Sequence, residues 1–265
     1  MNHPIETLKK DFLEIKIFET RQELGIVAAR DLVNIIKPLF EKQDYINIVF
    51  ASAPSQQEFL EELYKYDDIE WHRVNAFHMD EYIGLPTDAP QRFGNFLKTR
   101  LFDKRPFHSV NYLDGDHGVE EECRRYTELL RKYPIDIVCL GIGENGHIAF
   151  NDPHVADFED PHWVKIVNLD NICRQQQVND GCFNNFDDVP THALTLTISA
   201  LRQARYFLCM VPGYTKSNAL FHTYMDEISE TVPSTCLRLL SYSTIYADTD
   251  SASLLLNHEK LYATK

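Results

Sequence analysis

The feature that most constrains this chain is an alternation. Short β-rich apolar runs are separated by stretches of helical periodicity, with no internal repeat, low-complexity block or Gly/Ser linker. Strands divided by helices cannot pair as tight hairpins and need crossover connections. The order therefore predicts an α/β fold: a largely parallel sheet, right-handed crossovers and helices on both faces. One domain over residues 1–265 is the simplest account. In such sheets, ligands collect beyond the carboxyl ends of the strands.

The first helix is announced by Thr20 to Glu23, which reads as a capping box. Leu24, Val27, Ala28, Leu32, Ile35, Ile36, Leu39 and Phe40 then form one apolar stripe. Strands are expected at Ile46 to Ala51, Val74 to Met79, Val110 to Leu113, Ile135 to Leu140, through Leu194, Leu196 and Ile198, at Tyr206 to Val211, Thr235 to Leu239 and Ile245 to Ala247. Helices are expected near Gln56 to Tyr64, Arg92 to Phe102, Val119 to Tyr133 and Gly213 to Tyr224. The stretch Asp152 to Val189 carries few periodic signals and reads as a loop-rich excursion, with a lid at about 154–189.

Charge and cysteine usage narrow the function. Lys plus Arg number 26 against 40 Asp plus Glu, a formal charge of -14, which argues against nucleic acid and anionic membranes as partners. An anionic small substrate would need a local cationic pocket. No run of about 18 apolar residues occurs, and Met1 to Lys10 is polar, so neither a membrane span nor a secretory signal is expected, and the cytoplasm is the default compartment. The six cysteines show no C-x-x-C spacing; Cys139 and Cys209 sit in apolar runs and read as reduced core residues.

Three strand-to-helix junctions concentrate polar residues, and in a parallel sheet all would fall on one edge. The first is His78-Met79-Asp80-Glu81-Tyr82. Side chains alternate on an extended backbone, so at most one of Asp80 and Glu81 points into a cleft while the other anchors the loop. The second runs from Gly141 to Pro153. Its glycines Gly141, Gly143 and Gly146 permit tight turns, and His147 is framed by Asn145 and Asp152, although the spacing is not that of a dinucleotide loop. The third, Val211-Pro212-Gly213-Tyr214-Thr215-Lys216, opens a helix whose N–H groups and positive end, with Lys216, suit an anion. Ser52 and Ser55 offer comparable donors after the strand ending at Ala51. The plain alternatives are an acidic solvated turn, a structural loop histidine and a solvent-facing lysine.

Phe77-His78-Met79-Asp80-Glu81-Tyr82-Ile83-Gly84-Leu85-Pro86 and the Gly141 to Pro153 loop resemble the two signature segments of the glucosamine-6-phosphate isomerase/deaminase family. The resemblance continues through Ala193-Leu194-Thr195-Leu196-Thr197 and Gly213-Tyr214-Thr215-Lys216. The related 6-phosphogluconolactonases share the glycine loop but usually lack the Met-Asp-Glu-Tyr segment and the Ala-Phe-Asn continuation. The resemblance implies a Rossmann-like three-layer domain that converts an amino-sugar 6-phosphate to fructose 6-phosphate and ammonia, without metal or redox cofactor, often as a homo-oligomer. By it, Asp80 is the general base between C2 and C1, His147 the ring-opening catalyst, Asp152 its supporting carboxylate and Lys216 a phosphate ligand. Asn145 joins the catalytic set; Ser52, Ala53, Ser55, Glu81 and Gly143 join the substrate-binding set.

Four departures from the family pattern stand out. Asn145 replaces the usual Asp, so the carboxylate expected to orient His147 becomes an amide. Asp152 replaces Glu and shortens the reach by one methylene, and the pair is expected to weaken or retune the relay. Ala53-Pro54 replaces Gly-Gly, removing an N–H donor. Asp180 stands where the family's lid carries an Arg for the substrate phosphate, leaving Arg92 or Arg174 to supply that charge. The alternatives are a lactonase, an isomerase of another sugar phosphate, and a sugar-phosphate sensor without turnover. A metal site among His78, Asp80, His147, His154 and His162 lacks a recognisable ligand spacing.

Overall fold

The computed structural model describes residues 3–116 and 118–263. The chain opens with a hairpin, β1 (Glu6–Lys10) and β2 (Leu13–Phe18), followed by α1 (Arg21–Phe40), β3 (Ile46–Phe50), α2 (Gln57–Leu63), β4 (Val74–His78) and β5 (Asp80–Tyr82). Next come α3 (Phe93–Arg100), β6 (Ser109–Asn111), α4 (Val119–Lys132), β7 (Ile137–Leu140), β8 (Val164–Asn168) and α5 (Asn171–Asn179). The last elements are β9 (His192–Leu196), α6 (Ile198–Leu201), β10 (Tyr206–Val211), α7 (Ser217–Met225), β11 (Ser243–Asp248) and α8 (Ser253–Ala263).

Eight strands form one sheet in the order β1-β2-β11-β10-β7-β3-β4-β6, parallel except for the β1-β2 hairpin. From β3 the chain winds outward through β4 to β6, then returns to β7 on the other side of β3. The winding direction reverses between β3 and β7, which opens a crevice at their carboxyl ends. A second sheet, β5-β9-β8, is antiparallel and continues from the end of β4, with Asp80 opposite Thr195 and Tyr82 opposite Ala193. The expected α/β architecture is observed.

Thr20 caps α1 by accepting from the Glu23 amide at 3.2 Å, and the predicted stripe faces the sheet: Leu24, Val27, Ala28, Leu32, Ile36 and Leu39 are buried, with Ile35 and Phe40 half-buried at its rim. Full burial of such a side chain stabilises by roughly 1.5–3 kcal/mol, so this face holds the helix to the sheet. Cys139 on β7 and Cys209 on β10 are buried free thiols, as expected.

Three expectations are corrected. Thr235 to Leu239 is not a strand but part of a 3-10 segment, Pro233–Leu239, in which the Thr235 hydroxyl donates to Val232 and Ser229 carbonyls and so satisfies the backbone locally. Ile198 is not in a strand; Thr197 caps α6 there, accepting from the Ala200 amide at 3.1 Å. The stretch after Asp152 is not structureless, since it contains β8 and α5. Burial along β8 is mixed, and α5 puts polar Gln176 and Gln177 inward, so neither reads as a simple period.

Candidate active site

Four loops at the carboxyl ends of β3, β4, β7 and β10 converge on one cleft. Its lining includes Ala51, Ser52, Ala53, Ser55, Met79, Asp80, the loop from Gly141 to Gly143, His147 and Lys216. The three junctions singled out in the sequence do share an edge.

At the first junction the alternation of side chains resolves the two carboxylates. Asp80 faces the cleft, whereas Glu81 turns away, accepting from the amides of Tyr82 (2.9 Å), Phe93 (3.1 Å) and Gly94 (3.0 Å). A carboxylate on the free N–H groups that open α3 satisfies orphan donors and complements the helix dipole. Glu81 is therefore the anchor of this loop and does not itself line the cleft. Asp80 is buried, and its carboxyl sits well above the ordinary carboxylate range because of that burial and the neighbouring Glu81 charge.

His78 fixes the backbone of this junction. Its Nε2 accepts from the Leu113 amide at 2.9 Å, so Nδ1 carries the proton and donates to the Asp80 carbonyl at 2.9 Å. Burial lowers its pKa to about 4, consistent with a neutral ring held in one tautomer. The sequence marked His78 only as a metal candidate; its structural pairing depends on β6, which no local pattern reveals.

The second junction forms a closed network. His147 Nδ1 lies 2.7 Å from Asn145 Oδ1 and 3.0 Å from Asp152 Oδ1. The Asn145 amide nitrogen donates to Asp152 Oδ1 at 3.0 Å and to Asp170 Oδ2 at 3.1 Å, while its oxygen also accepts from the His147 amide at 3.1 Å. Two carboxylates on one side and two N–H groups on the other fix which way the amide points. Asp152, fully buried, places a carboxylate beside the His147 ring where Asn145 offers only an amide oxygen. Burial pushes Asp152 up, but His147, the Asn145 amide and the Asp170 amide together hold it below the usual carboxylate value.

Backbone shape makes this possible. Any Cβ on Gly143 would lie 2.1 Å from the His147 ring, so only glycine lets the ring pack there. Ala149 takes a left-handed φ of 51°, and the loop folds back through an Ile148-Asn151 bridge instead of starting a helix. Thr195 on β9 donates its hydroxyl to Leu196 and accepts from the Phe150 amide at 3.0 Å, tying the loop to the second sheet.

At the third junction Lys216 ends a 3-10 turn, Tyr214–Lys216, and is buried in the cleft. Burial pulls its ammonium below the ordinary lysine range, against the carboxylates of Asp180 and Glu144, which favour its charge. Ser52 donates to the Phe93 carbonyl at 3.2 Å and Ser55 accepts from Gln56 at 3.1 Å, so both hydroxyls have intramolecular partners in addition to their place on the cleft.

Neither candidate arginine lines the cleft. Arg92 is buried against Asp116, Asp114 (3.5 Å) and Glu81 (3.8 Å); Arg174 donates to the Phe186 and Val189 carbonyls, with its guanidinium 4.0 Å from the Phe186 ring centre. Local carboxylates engage Arg92 and carbonyls engage Arg174, and neither is brought to the cleft beside Lys216. Sequence reasoning missed Gln176, Gln177, Phe93 and Phe150 as cleft residues. The aromatic Phe150 lay inside a motif already noted; the glutamines carried no signal.

His147, Asp152 and Cys173 bring one ligand atom each within 4.8 Å of one another, as do Asp152, His154 and Asp170, so these are the described groups with metal-ligand geometry. Asp152 is common to both, and its oxygens are engaged by His147, Asn145 and the Asp170 amide. Among the described residues no helix is long and apolar enough to cross a membrane.

Comparison with known proteins places the chain among relatives of one family. A glucosamine-6-phosphate deaminase of Bacillus cereus (strain G9842) is 32% identical over 243 residues, 91% of this chain and 89% of that one; one of Bacillus cytotoxicus is 30% identical over the same length and shares. Among solved structures, a monomeric glucosamine-6-phosphate deaminase superposes with a TM-score of 0.82 at 28% identity, over 91% of this chain and 99% of that one. A 6-phosphogluconolactonase from Thermotoga maritima, at a TM-score of 0.72 and 21% identity over 88% and 98% of the two chains, shares the fold. Residues 19–245 match the sequence profile described as glucosamine-6-phosphate isomerases/6-phosphogluconolactonase, and the chain belongs to that family.

Proposed function

We propose that this chain is a glucosamine-6-phosphate deaminase, converting an amino-sugar 6-phosphate to fructose 6-phosphate and ammonia. The observation that carries the reading is the convergence of a buried, cleft-facing Asp80, a His147-Asp152 pair and a buried Lys216 in one cleft. The deaminase names of the relatives support it.

Each group has a chemical task. Lys216 and the backbone turns at Ser52 to Ser55 and Tyr214 to Lys216 receive the phosphate. With Nδ1 committed to Asn145 and Asp152, His147 presents Nε2 to the sugar, takes the proton of the C1 hydroxyl and passes it to the ring oxygen as the hemiacetal opens. The Asp152 carboxylate stabilises the charge that the imidazole carries during the transfer. Opening produces the C1 aldehyde, which acidifies C2. Asp80 takes the C2 proton as the aldehyde oxygen is protonated to give an enol, then returns it at C1, leaving a C2 iminium that gives up one proton to become the imine. Water adds to that imine, the C–N bond breaks and ammonia departs. A buried carboxylate is a stronger base than an exposed one because desolvation disfavours its charge. The segment 154–189, which brings Gln176, Gln177 and Asp180 to the cleft, acts as the cover that limits water access.

The proposal places the enzyme in the cytoplasm with a soluble sugar phosphate as its partner. Self-association remains part of it, beside a solved relative described as monomeric; sedimentation of the purified chain decides the matter. Incubation with glucosamine 6-phosphate should release ammonia and a ketose phosphate in equal amounts. No ammonia, or hydrolysis of a 6-phosphogluconolactone instead, overturns the reading.

A further inference from the structure

At the Lys216 end of the cleft a lone ammonium lies under the influence of two carboxylates, Asp180 in the cleft lining and Glu144 nearby. Lys216 is buried, and among the described residues its ammonium makes no direct hydrogen bond or ion pair. Asp180 lines the same cleft, held by a hydrogen bond of 3.2 Å from Gln176 Nε2 to its Oδ2. Gln176 in turn accepts from the Glu144 amide at 2.8 Å, and Glu144 Oε1 is buried without a hydrogen bond. Both carboxylates act on the ammonium through space.

Local helix energetics do not account for Asp180. It is the residue that closes α5 at its C-terminal end, where the helix dipole disfavours an anion, and Gly181 follows with a φ of 74°. A neutral residue there would suit the helix better. The acid therefore costs the helix a little stability, while its negative charge faces the site that has to admit an anion.

Resting on the deaminase reading, we propose that Asp180 is the counter-charge of Lys216 and sets affinity for the substrate's anionic group below what the lysine alone would give. An incoming phosphate meets the attraction of one ammonium and the repulsion of a carboxylate that lines the same cleft. Removing that carboxylate tightens binding by about three- to tenfold, the scale of one partly screened charge interaction across a cleft.

The test uses the full chain with Asp180→Asn, which keeps an acceptor for Gln176, and Asp180→Ser. KM for glucosamine 6-phosphate and the calorimetric Kd for inorganic phosphate are measured for each. Both constants should fall about three- to tenfold in both variants, with the larger change in KM than in kcat. A purely structural role for Asp180 would weaken binding on substitution, so constants that stay the same or rise overturn the inference. If the unsubstituted protein releases no ammonia, the deaminase reading fails, and the inorganic-phosphate measurement still decides the role of Asp180.

Discussion

The two ends of the cleft are built differently. At the His147 end, Nδ1, the Asn145 amide and the Asp152 carboxylate are saturated by one another, so ring position and tautomer are set before any ligand arrives. At the Lys216 end, a buried ammonium faces carboxylates that it does not touch. The first arrangement suits proton transfer, which needs fixed geometry. The second suits binding, because a buried charge without a contact partner gains most from an incoming counter-ion.

The largest expected effect breaks the proton-transfer end. Asp80→Asn removes the base while keeping its shape, and kcat for ammonia release should fall by about 10²–10⁴-fold with little change in KM. A kcat within a few-fold of the unsubstituted enzyme would remove Asp80 from the mechanism. The same residue predicts the pH profile. Its carboxyl sits above the ordinary range, and only the deprotonated form accepts a proton, so kcat should rise as pH rises through that elevated pKa. Glu81→Gln removes a neighbouring negative charge, eases ionisation of Asp80 and should move this limb to lower pH; a shift to higher pH contradicts the assignment.

Next comes the binding end. Lys216→Ala deletes the ammonium, worth about 1.5–3 kcal/mol in charged hydrogen bonds, so KM should rise about tenfold to a hundredfold. If kcat fell and KM held, Lys216 would belong with the chemistry instead. Asp152→Asn tests whether the network needs a charge or only an acceptor, since Asn145 Oδ1 would still hold His147. Loss of one charged hydrogen bond predicts a drop in kcat of about tenfold or more. Stability follows the same group. A depressed folded pKa adds stability above the ordinary value of 3.8 that is lost as pH falls through the folded value. Thermal melts of Asp152→Asn should therefore lose less stability on acidification than those of the unsubstituted protein.

The smallest effect lies in the backbone between the two ends. Ala149 holds a left-handed φ of 51°, and Ala149→Gly relieves strain while loosening the unfolded chain. Denaturant unfolding should show a net change of about 1 kcal/mol or less. A larger loss would mean that the Ala149 methyl contributes packing beyond its place in the cleft lining.

How much of the site could be read in the sequence differs between these regions. The division of labour between Asp80 and Glu81 was legible, because a strand alternates its side chains whatever surrounds it. The glycines beside His147 were also legible as places of close approach. The surroundings of Arg92 and Arg174 were not legible, because a cation's availability depends on distant partners: Asp116 for Arg92, and the carbonyls of Phe186 and Val189 for Arg174. Asp152 has a reach one methylene shorter than the family's Glu. The fold-back between Ile148 and Asn151 brings it within 3.0 Å of the imidazole, a loop closure that no residue spacing encodes.

The sequence by itself determined the parallel α/β plan and the gathering of three polar junctions on one sheet edge. Both follow from local periodicity and from the handedness of crossovers. Which charges remain available follows from the folded arrangement. It neutralised Arg92 and Arg174 locally, gave His147 its carboxylate from Asp152, and placed Asp180 in the cleft with a buried Lys216. Charge interactions depend on distance and burial in three dimensions, and residues far apart in the chain set both.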